Sequence, residues 1–134
     1  MKKDIVGIVE KIKVIGEKEI ETIALCDSGA SSTSVDMKLA AKARLGPIVR
    51  TTTIKNPSLK MEIRRPVVRA KIVIKGREFE TEVNVQDRSH MTFPVIIGRN
   101  ILSGNFIIDT KKNFEIFQKM KKKGKKNQVE ILEI

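Results

Sequence analysis

The residues best suited to chemistry sit together early in the chain. The apolar run Ile23-Ala24-Leu25 ends at Cys26 and passes straight into Asp27-Ser28-Gly29-Ala30-Ser31-Ser32, a small polar stretch that cannot continue a buried strand. An aspartate placed there is held at the edge of a rigid sheet, with small neighbours that leave room for a substrate. Gly29 lets the chain turn and approach another backbone closely, and Ser28 offers a hydroxyl for a hydrogen bond across an interface. A carboxylate so held can take a proton from water as a general base or, when protonated, polarise a carbonyl. The quartet alone does not single out that chemistry, because Asp, Ser and Gly together also make ordinary turns.

The elements that must position Asp27 read mainly as strands. Val6, Ile8, Ile12 and Val14 share one parity, as in a half-buried strand, and Gly16-Glu17-Lys18 supplies a turn into a second strand from Ile20 to Cys26. Asp36 can cap a short helix over 37–43, where Met37, Leu39, Ala40, Ala41 and Ala43 favour it. Residues 50–65 hold Asn56-Pro57-Ser58 and read as a turn or mobile hairpin tip. Val68, Ala70, Ile72 and Ile74 alternate up to Lys75-Gly76-Arg77, and Phe79, Thr81, Val83 and Val85 alternate after it, which predicts a hairpin. Phe93 to Ile97 and Asn105 to Ile108 suit strands buried on two faces, with room between them for about one turn of helix. At the end of the chain, lysines crowd around Gly124 between apolar flanks, Phe114, Ile116 and Phe117 before them and Val129, Ile131, Leu132 and Ile134 after. A C-terminal hairpin over 111–134 with a lysine-rich tip accounts for both. The expectation is one mainly β domain over residues 1–134, with one or two short helices.

A second segment sharpens the reading of Asp27. Val95-Ile96-Ile97-Gly98-Arg99-Asn100-Ile101-Leu102, downstream of Asp27-Ser28-Gly29-Ala30, resembles the other signature of retropepsin-like aspartic proteases. There an apolar strand ending in glycine precedes a short helix opened by Arg-Asn or Arg-Asp. The resemblance covers residues 5–110. It implies an all-β acid-protease barrel with one catalytic loop per protomer, and it makes Asp27 catalytic. Ser28, Gly29 and Ala30 would form the loop, supported from behind by Ile97, Gly98, Arg99 and Asn100. Arg64-Arg65-Pro66-Val67-Val68-Arg69 and Gln86-Asp87-Arg88-Ser89-His90-Met91-Thr92-Phe93-Pro94 look like the bacterial and archaeal branch labelled "ATP-dependent zinc protease". Some members of that branch are encoded near ATP-grasp ligases that add glutamates to proteins. Nothing in the chain resembles a phosphate-binding loop, and a single His90 and a single Cys26 argue against catalytic zinc. The expected peptidase needs no cofactor.

With one Asp-Ser-Gly per chain, two copies must meet across a twofold axis and each supply Asp27. One carboxylate then serves as base for water and the other, protonated, polarises the scissile carbonyl. Carboxylates ~3 Å apart cannot easily both ionise, so the pair shares a proton and titrates as a unit. By the same resemblance the chain termini, Val129 to Ile134 among them, are candidates for the interface, and residues 50–65 occupy the place of the flap that closes over substrate. The sequence departs from the retroviral pattern at Ser31, where an acidic residue usually pairs with the arginine of the second signature. Arg99 therefore needs another partner: Asp36, Asp109 or a substrate carboxylate.

Composition narrows the partners. Among 134 residues, 27 basic against 16 acidic side chains give a formal charge of +11, which draws acidic partners. Arg64, Arg65, Arg69 and Arg88 are suited to bidentate contacts with carboxylates, so an acidic or glutamate-rich peptide is the expected substrate. The rival is a non-catalytic basic β-domain that binds RNA, a ribosome or another polyanion. Against it stands the absence of Trp and Tyr, which removes the usual base-stacking platform. A third reading is a retropepsin-like dimerisation domain without catalysis. Asp109 lacks a following glycine and reads as structural, His90 reads as a loop residue, and Cys26 reads as packing. No apolar run approaches the roughly 20 residues needed to span a bilayer, and the opening Met1-Lys2-Lys3-Asp4 has no signal-peptide character. A cytoplasmic protein is expected.

Overall fold

The strand that delivers Asp27 is held on both sides. In the computed structural model, which describes residues 2–56 and 61–123, β2 (Val9–Ile15) and β3 (Glu19–Cys26) form an antiparallel hairpin, with Val9 opposite Leu25 and Ile15 opposite Glu19. On its other edge β3 pairs in parallel with β8 (Val95–Ile97), bringing Cys26 opposite Ile97. β8 in turn pairs with β4 (Ser34–Asp36), so it lies between the two strands that the Asp27 loop connects. That loop must therefore cross the end of β8, at Gly98.

β4 runs parallel to β7 (Arg77–Gln86), which pairs antiparallel with β6 (Met61–Ile74). β6 returns to β2, closing a ring of six strands in the order β2-β3-β8-β4-β7-β6. The β6–β7 turn is Lys75-Gly76, both at positive φ (53° and 73°), the backbone of a tight primed hairpin turn. β5 (Ile48–Asn56) is added outside β6, forming the expected hairpin over residues 50–65. Of its expected mobile tip, Pro57 and Ser58 lie outside the described residues.

The interior follows the alternation of the sequence. Val68, Ala70, Ile72 and Ile74 of β6 all point inward, meeting Ile12 and Val14, Ala24 and Cys26, Val83, Val95 and Ile97. Burying such side chains contributes about 1.5–3 kcal/mol each before entropy is set against it. α1 (Met37–Ala43) closes one end with Leu39, Ala40 and Ala43; Asp36 caps it by accepting from Lys38 N. α2 (Arg99–Leu102) contributes Ile101 and Leu102 to the same core.

Three expectations need correction, the first being the two-faced burial expected over residues 105–108, where Ile107 is exposed. The single strand expected through Val6, Ile8, Ile12 and Val14 is broken. β1 (Asp4–Gly7) leaves the barrel and pairs in parallel with β9 (Phe106–Asp109) as a separate ribbon. The break falls at Gly7, where a Cβ would stand 2.5 Å from Lys112 O; Gly7 N donates to the buried carboxylate of Glu10 at 2.6 Å. The first arm of the expected C-terminal hairpin is instead α3 (Phe114–Lys123). Ile116, Phe117 and Met120 follow a helical period and cover Val9, Ile23 and Phe93, and burial of that stripe outweighs the local resemblance to a strand. Residues 124–134, with the rest of that hairpin and the proposed terminal interface strand, lie outside the described residues. No described helix is long and apolar enough to cross a membrane.

Candidate functional site

The loop from Asp27 to Thr33 is fixed to the barrel by main-chain bonds. Asp27 N donates to Ile97 O (2.9 Å), Ala30 N to Asp27 O (3.2 Å) and Arg99 N to Ala30 O (2.8 Å). Asp27 Oδ1 accepts from Gly29 N at 2.9 Å, a bond that fixes the carboxylate's rotamer. Gly29 has no positive φ; a Cβ there would sit 3.2 Å from that oxygen. Its glycine thus keeps the space beside the carboxylate clear instead of supplying an unusual turn conformation.

Gly98 follows the last residue of β8, directly beneath this loop. It is buried under the loop, and a Cβ on it would stand 2.5 Å from Ser32 C and O and 2.9 Å from Ala30 O. Its N–H donates to Thr33 Oγ1 (3.1 Å), and that hydroxyl donates to Asn100 Oδ1 (2.8 Å). Asn100 Nδ2 reaches across to Thr81 Oγ1 and Glu82 O on β7. Thr33, fully buried, is therefore the link between the two signatures, and it lies one residue beyond the polar stretch that sequence reasoning singled out. Asn84 was also missed: it donates to Ser32 Oγ and Thr33 O and accepts from Ser34 Oγ, and its only visible signal was an amide inside an otherwise alternating strand.

Arg99 resolves its missing acidic partner locally, since its Nη1 donates to Ser28 O at 3.0 Å. Neither expected carboxylate of the chain takes it. Asp36 accepts from Lys38 N and Arg88 N, and Asp109 Oδ1 accepts from Lys111 N.

Of the four arginines expected to bind substrate, the structure brings two together. Arg88 is only 4% exposed, and its Nε donates to Phe93 O. Burial and then the neighbouring charge of Arg65 push its pKa below the usual arginine range, while Asp36 and Asp27 oppose that shift. Arg65 is half-buried and also shifted down by burial, and its Nε has no hydrogen-bond acceptor among the described residues. Arg64, the next residue on β6, is exposed on the opposite face. Arg69 lines a separate cavity of about 800 Å³ with Arg44, Leu45 and Lys71, which shares no residue with the surroundings of Asp27. Arg88 thus lies beneath the surface instead of on it.

Asp27 opens onto a groove of about 780 Å³. Ile8, Leu25, Leu102, Phe106 and Phe117 give it an apolar floor, and Asp27, Ser28, Arg99 and Lys3 give it a polar margin. Beside it the β1–β9 ribbon leaves Ile5 and Ile107, cross-strand partners, 51% and 55% exposed. Cys26, next to Asp27, is buried, and burial followed by the charge of Glu10 pushes its thiol up to about 12. The thiolate is the reactive form, so native protein in mildly alkaline buffer should be alkylated by iodoacetamide on the order of 10³-fold more slowly than unfolded protein. The raised value also makes the thiol stabilising below its ordinary pKa of 9.0, with that contribution fading as pH climbs from there toward about 12.

A six-stranded barrel whose aspartate loop straddles the end of a glycine-ended strand is the retropepsin-like acid-protease fold. Solved structures agree. A Legionella pneumophila protein of unknown function matches with a TM-score of 0.59 at 22% identity, over 82% of this chain and 95% of that one. EIAV protease bound to an inhibitor matches with a TM-score of 0.56 at 20% identity, over 70% and 83%. A simian foamy virus protease matches with a TM-score of 0.51 at 20% identity, over 69% and 88%. No curated protein matches the sequence. The family profile for RimB-like proteins, described as retropepsin-like aspartic endopeptidase RimB, matches residues 31–119. The chain belongs to that family. The matched span begins just after Ala30, so it takes in Gly98, Arg99 and Asn100 but not Asp27.

Proposed function

We propose that the protein is a homodimeric aspartic peptidase in which two Asp27 carboxylates, one from each protomer, activate a water between them. The observation that carries this reading is the single Asp27, rigidly held by Gly29 N and Ile97 O at the margin of an open apolar groove. One carboxylate takes a proton from the water, whose oxygen attacks the scissile carbonyl carbon, while the protonated partner hydrogen-bonds the carbonyl oxygen. Collapse of the tetrahedral intermediate then breaks the C–N bond and passes a proton to the leaving amine. Ser28, Gly29 and Ala30 form the loop, and Ile97, Gly98, Arg99 and Asn100 hold it from behind. The exposed pair Ile5 and Ile107 and the adjoining groove offer the apolar area a second copy would cover.

The proposed substrate is an acidic, glutamate-rich protein segment. Arg65, whose buried Nε has no acceptor among the described residues and lies beside the charge of Arg88, is the residue best placed to meet a side-chain carboxylate. The proposed site of action is the cytoplasm, in keeping with one free, buried cysteine.

A mixed peptide library including acidic tails, incubated with purified protein, chelator and no ATP, tests this. Cleavage is expected, with acidic peptides cut faster than neutral ones and with specific activity falling on dilution as dimers dissociate. Specific activity unchanged down to concentrations at which the protein is monomeric by light scattering would remove the shared site, and equal cutting of neutral peptides would remove the acidic substrate.

A further inference from the structure

A ribbon that leaves the barrel has to be tied back to it. β1 and β9 form a two-stranded sheet of their own, separate from the seven-stranded sheet. Residues paired across the ribbon share a face, so Val6, Phe106 and Ile108 turn toward the barrel core while Ile5 and Ile107 turn outward. At the end of β1 the tie is made by Glu10, which accepts from Gly7 N, and by Ile8 O, which accepts from Cys26 N. At the start of both strands it is made by Arg77.

Arg77 is the first residue of β7, presented by the Lys75-Gly76 turn. Its Nη1 donates to Asn105 O at 3.1 Å and its Nη2 to Asn105 Oδ1 at 3.1 Å. Its guanidinium carbon lies 5.3 Å from the ring centroid of Phe79, on the same strand, and 5.1 Å from that of Phe106 on β9. The two rings meet edge to face at 5.7 Å. Asp4, at the start of β1, completes the set at 3.4 Å; its side chain is half-exposed, so that ion pair alone contributes little. A planar fork meets both oxygens of Asn105 while lying against two rings, which a lysine ammonium cannot reproduce.

Asn105 carries the tie onward. Its Nδ2 donates to Ile101 O at 2.8 Å and its main-chain N–H to Leu102 O at 3.1 Å, both in α2. α2 opens with Arg99, whose N–H and Nη1 hold Ala30 O and Ser28 O of the Asp27 loop. One four-residue helix thus joins the ribbon to the loop. The consequence rests on the proposed dimer, in which two Asp27 carboxylates meet when the face that pairs the protomers stands at a set angle to the loop. We infer that Arg77 is a positioning residue for the shared site: it holds the β1–β9 ribbon in the orientation in which a second copy covers Ile5 and Ile107 and brings its own Asp27 into place.

Hydrogen exchange and sedimentation of the full chain test it. In Arg77→Met the amides of β1 and β9 should exchange on the order of 10-fold faster than in wild type, while those of β3 and β6 keep their protection. The dimer dissociation constant should rise on the order of 10-fold. Specific activity should fall at low protein concentration and return to the wild-type value as concentration restores the dimer, a recovery that a damaged fold would not show. Lys13→Met, which takes the same charge out of the pair with Glu19, should change neither reading. If Arg77→Met fails to fold, Arg77→Lys should show both effects in smaller measure. Ile5→Ser, on the outward face, should weaken the dimer with ribbon exchange unchanged. Unchanged ribbon exchange in the Arg77 variants, or faster exchange with an unchanged dimer constant, would overturn the inference. A wild-type protein that stays monomeric at every concentration would overturn the dimeric reading of Asp27 and this inference with it, and is told apart from the other failures because it appears without any substitution.

Discussion

Replacing Asp27 by Asn is expected to abolish peptide cleavage, by at least about 10³-fold in kcat/KM, while leaving the fold, the dimer and the melting temperature nearly unchanged. The size follows from the proposed symmetry. One substitution in the gene removes both members of the catalytic pair, so neither the base that takes a proton from water nor the acid that faces the carbonyl survives. The structural cost is small because the amide oxygen of Asn can still accept from Gly29 N, and the loop's other bonds, to Ile97 O and from Arg99 N, are main-chain. Mixing sharpens the test. Adding the Asp27→Asn variant to wild type at concentrations that allow exchange should depress activity beyond simple dilution, because mixed dimers carry only one carboxylate. Strict proportionality to the wild-type fraction would mean that each chain works alone. Full activity of the variant would take Asp27 out of the reaction.

The sequence was most legible where one local pattern fixes one local outcome. Alternation in β6 and β7 marked their inward faces, Lys75-Gly76 marked their turn, and Asp36 marked the start of α1. The two signatures were visible as types and order, and the topology that places β8 between β3 and β4 explains why both are needed: one is the loop, the other the surface it crosses. What stayed hidden depends on partners distant in the chain. Thr33 gains its role only because Gly98 and Asn100 come to it, and Arg99 settles on a carbonyl, which no pattern of side chains announces. Arg64, Arg65 and Arg69 looked like one site because they are close in sequence, yet the strand's alternation and length separate Arg64 and Arg69 from Arg65, which lies instead beside Arg88. α3 was misread because lysines hid Met120, the fully buried residue that completes its apolar stripe.

The second large effect is expected at Gly98, where alanine should destabilise the protein by about 3 kcal/mol, lowering the melting temperature by roughly 10 °C. Gly98 φ is −98°, an ordinary value for any residue, so the cost comes from space alone. The added carbon would meet Ser32 C and O at 2.5 Å and Ala30 O at 2.9 Å. These are main-chain atoms of a loop pinned at both ends, by Asp27 N on Ile97 O and by Arg99 N on Ala30 O, so the loop cannot move aside without losing those bonds. Thr33→Val serves as the comparison. It keeps the volume but leaves Gly98 N and Asn100 Oδ1 without the hydroxyl, at a cost of about 1–3 kcal/mol, and it should spare the position of Asp27 more than Gly98→Ala does. Thermal melts of the two variants, read beside their cleavage rates, separate crowding from hydrogen bonding. A Gly98→Ala protein that melts with wild type would show that the loop is free to lift off β8, and the rigid support proposed for Asp27 would fall with it.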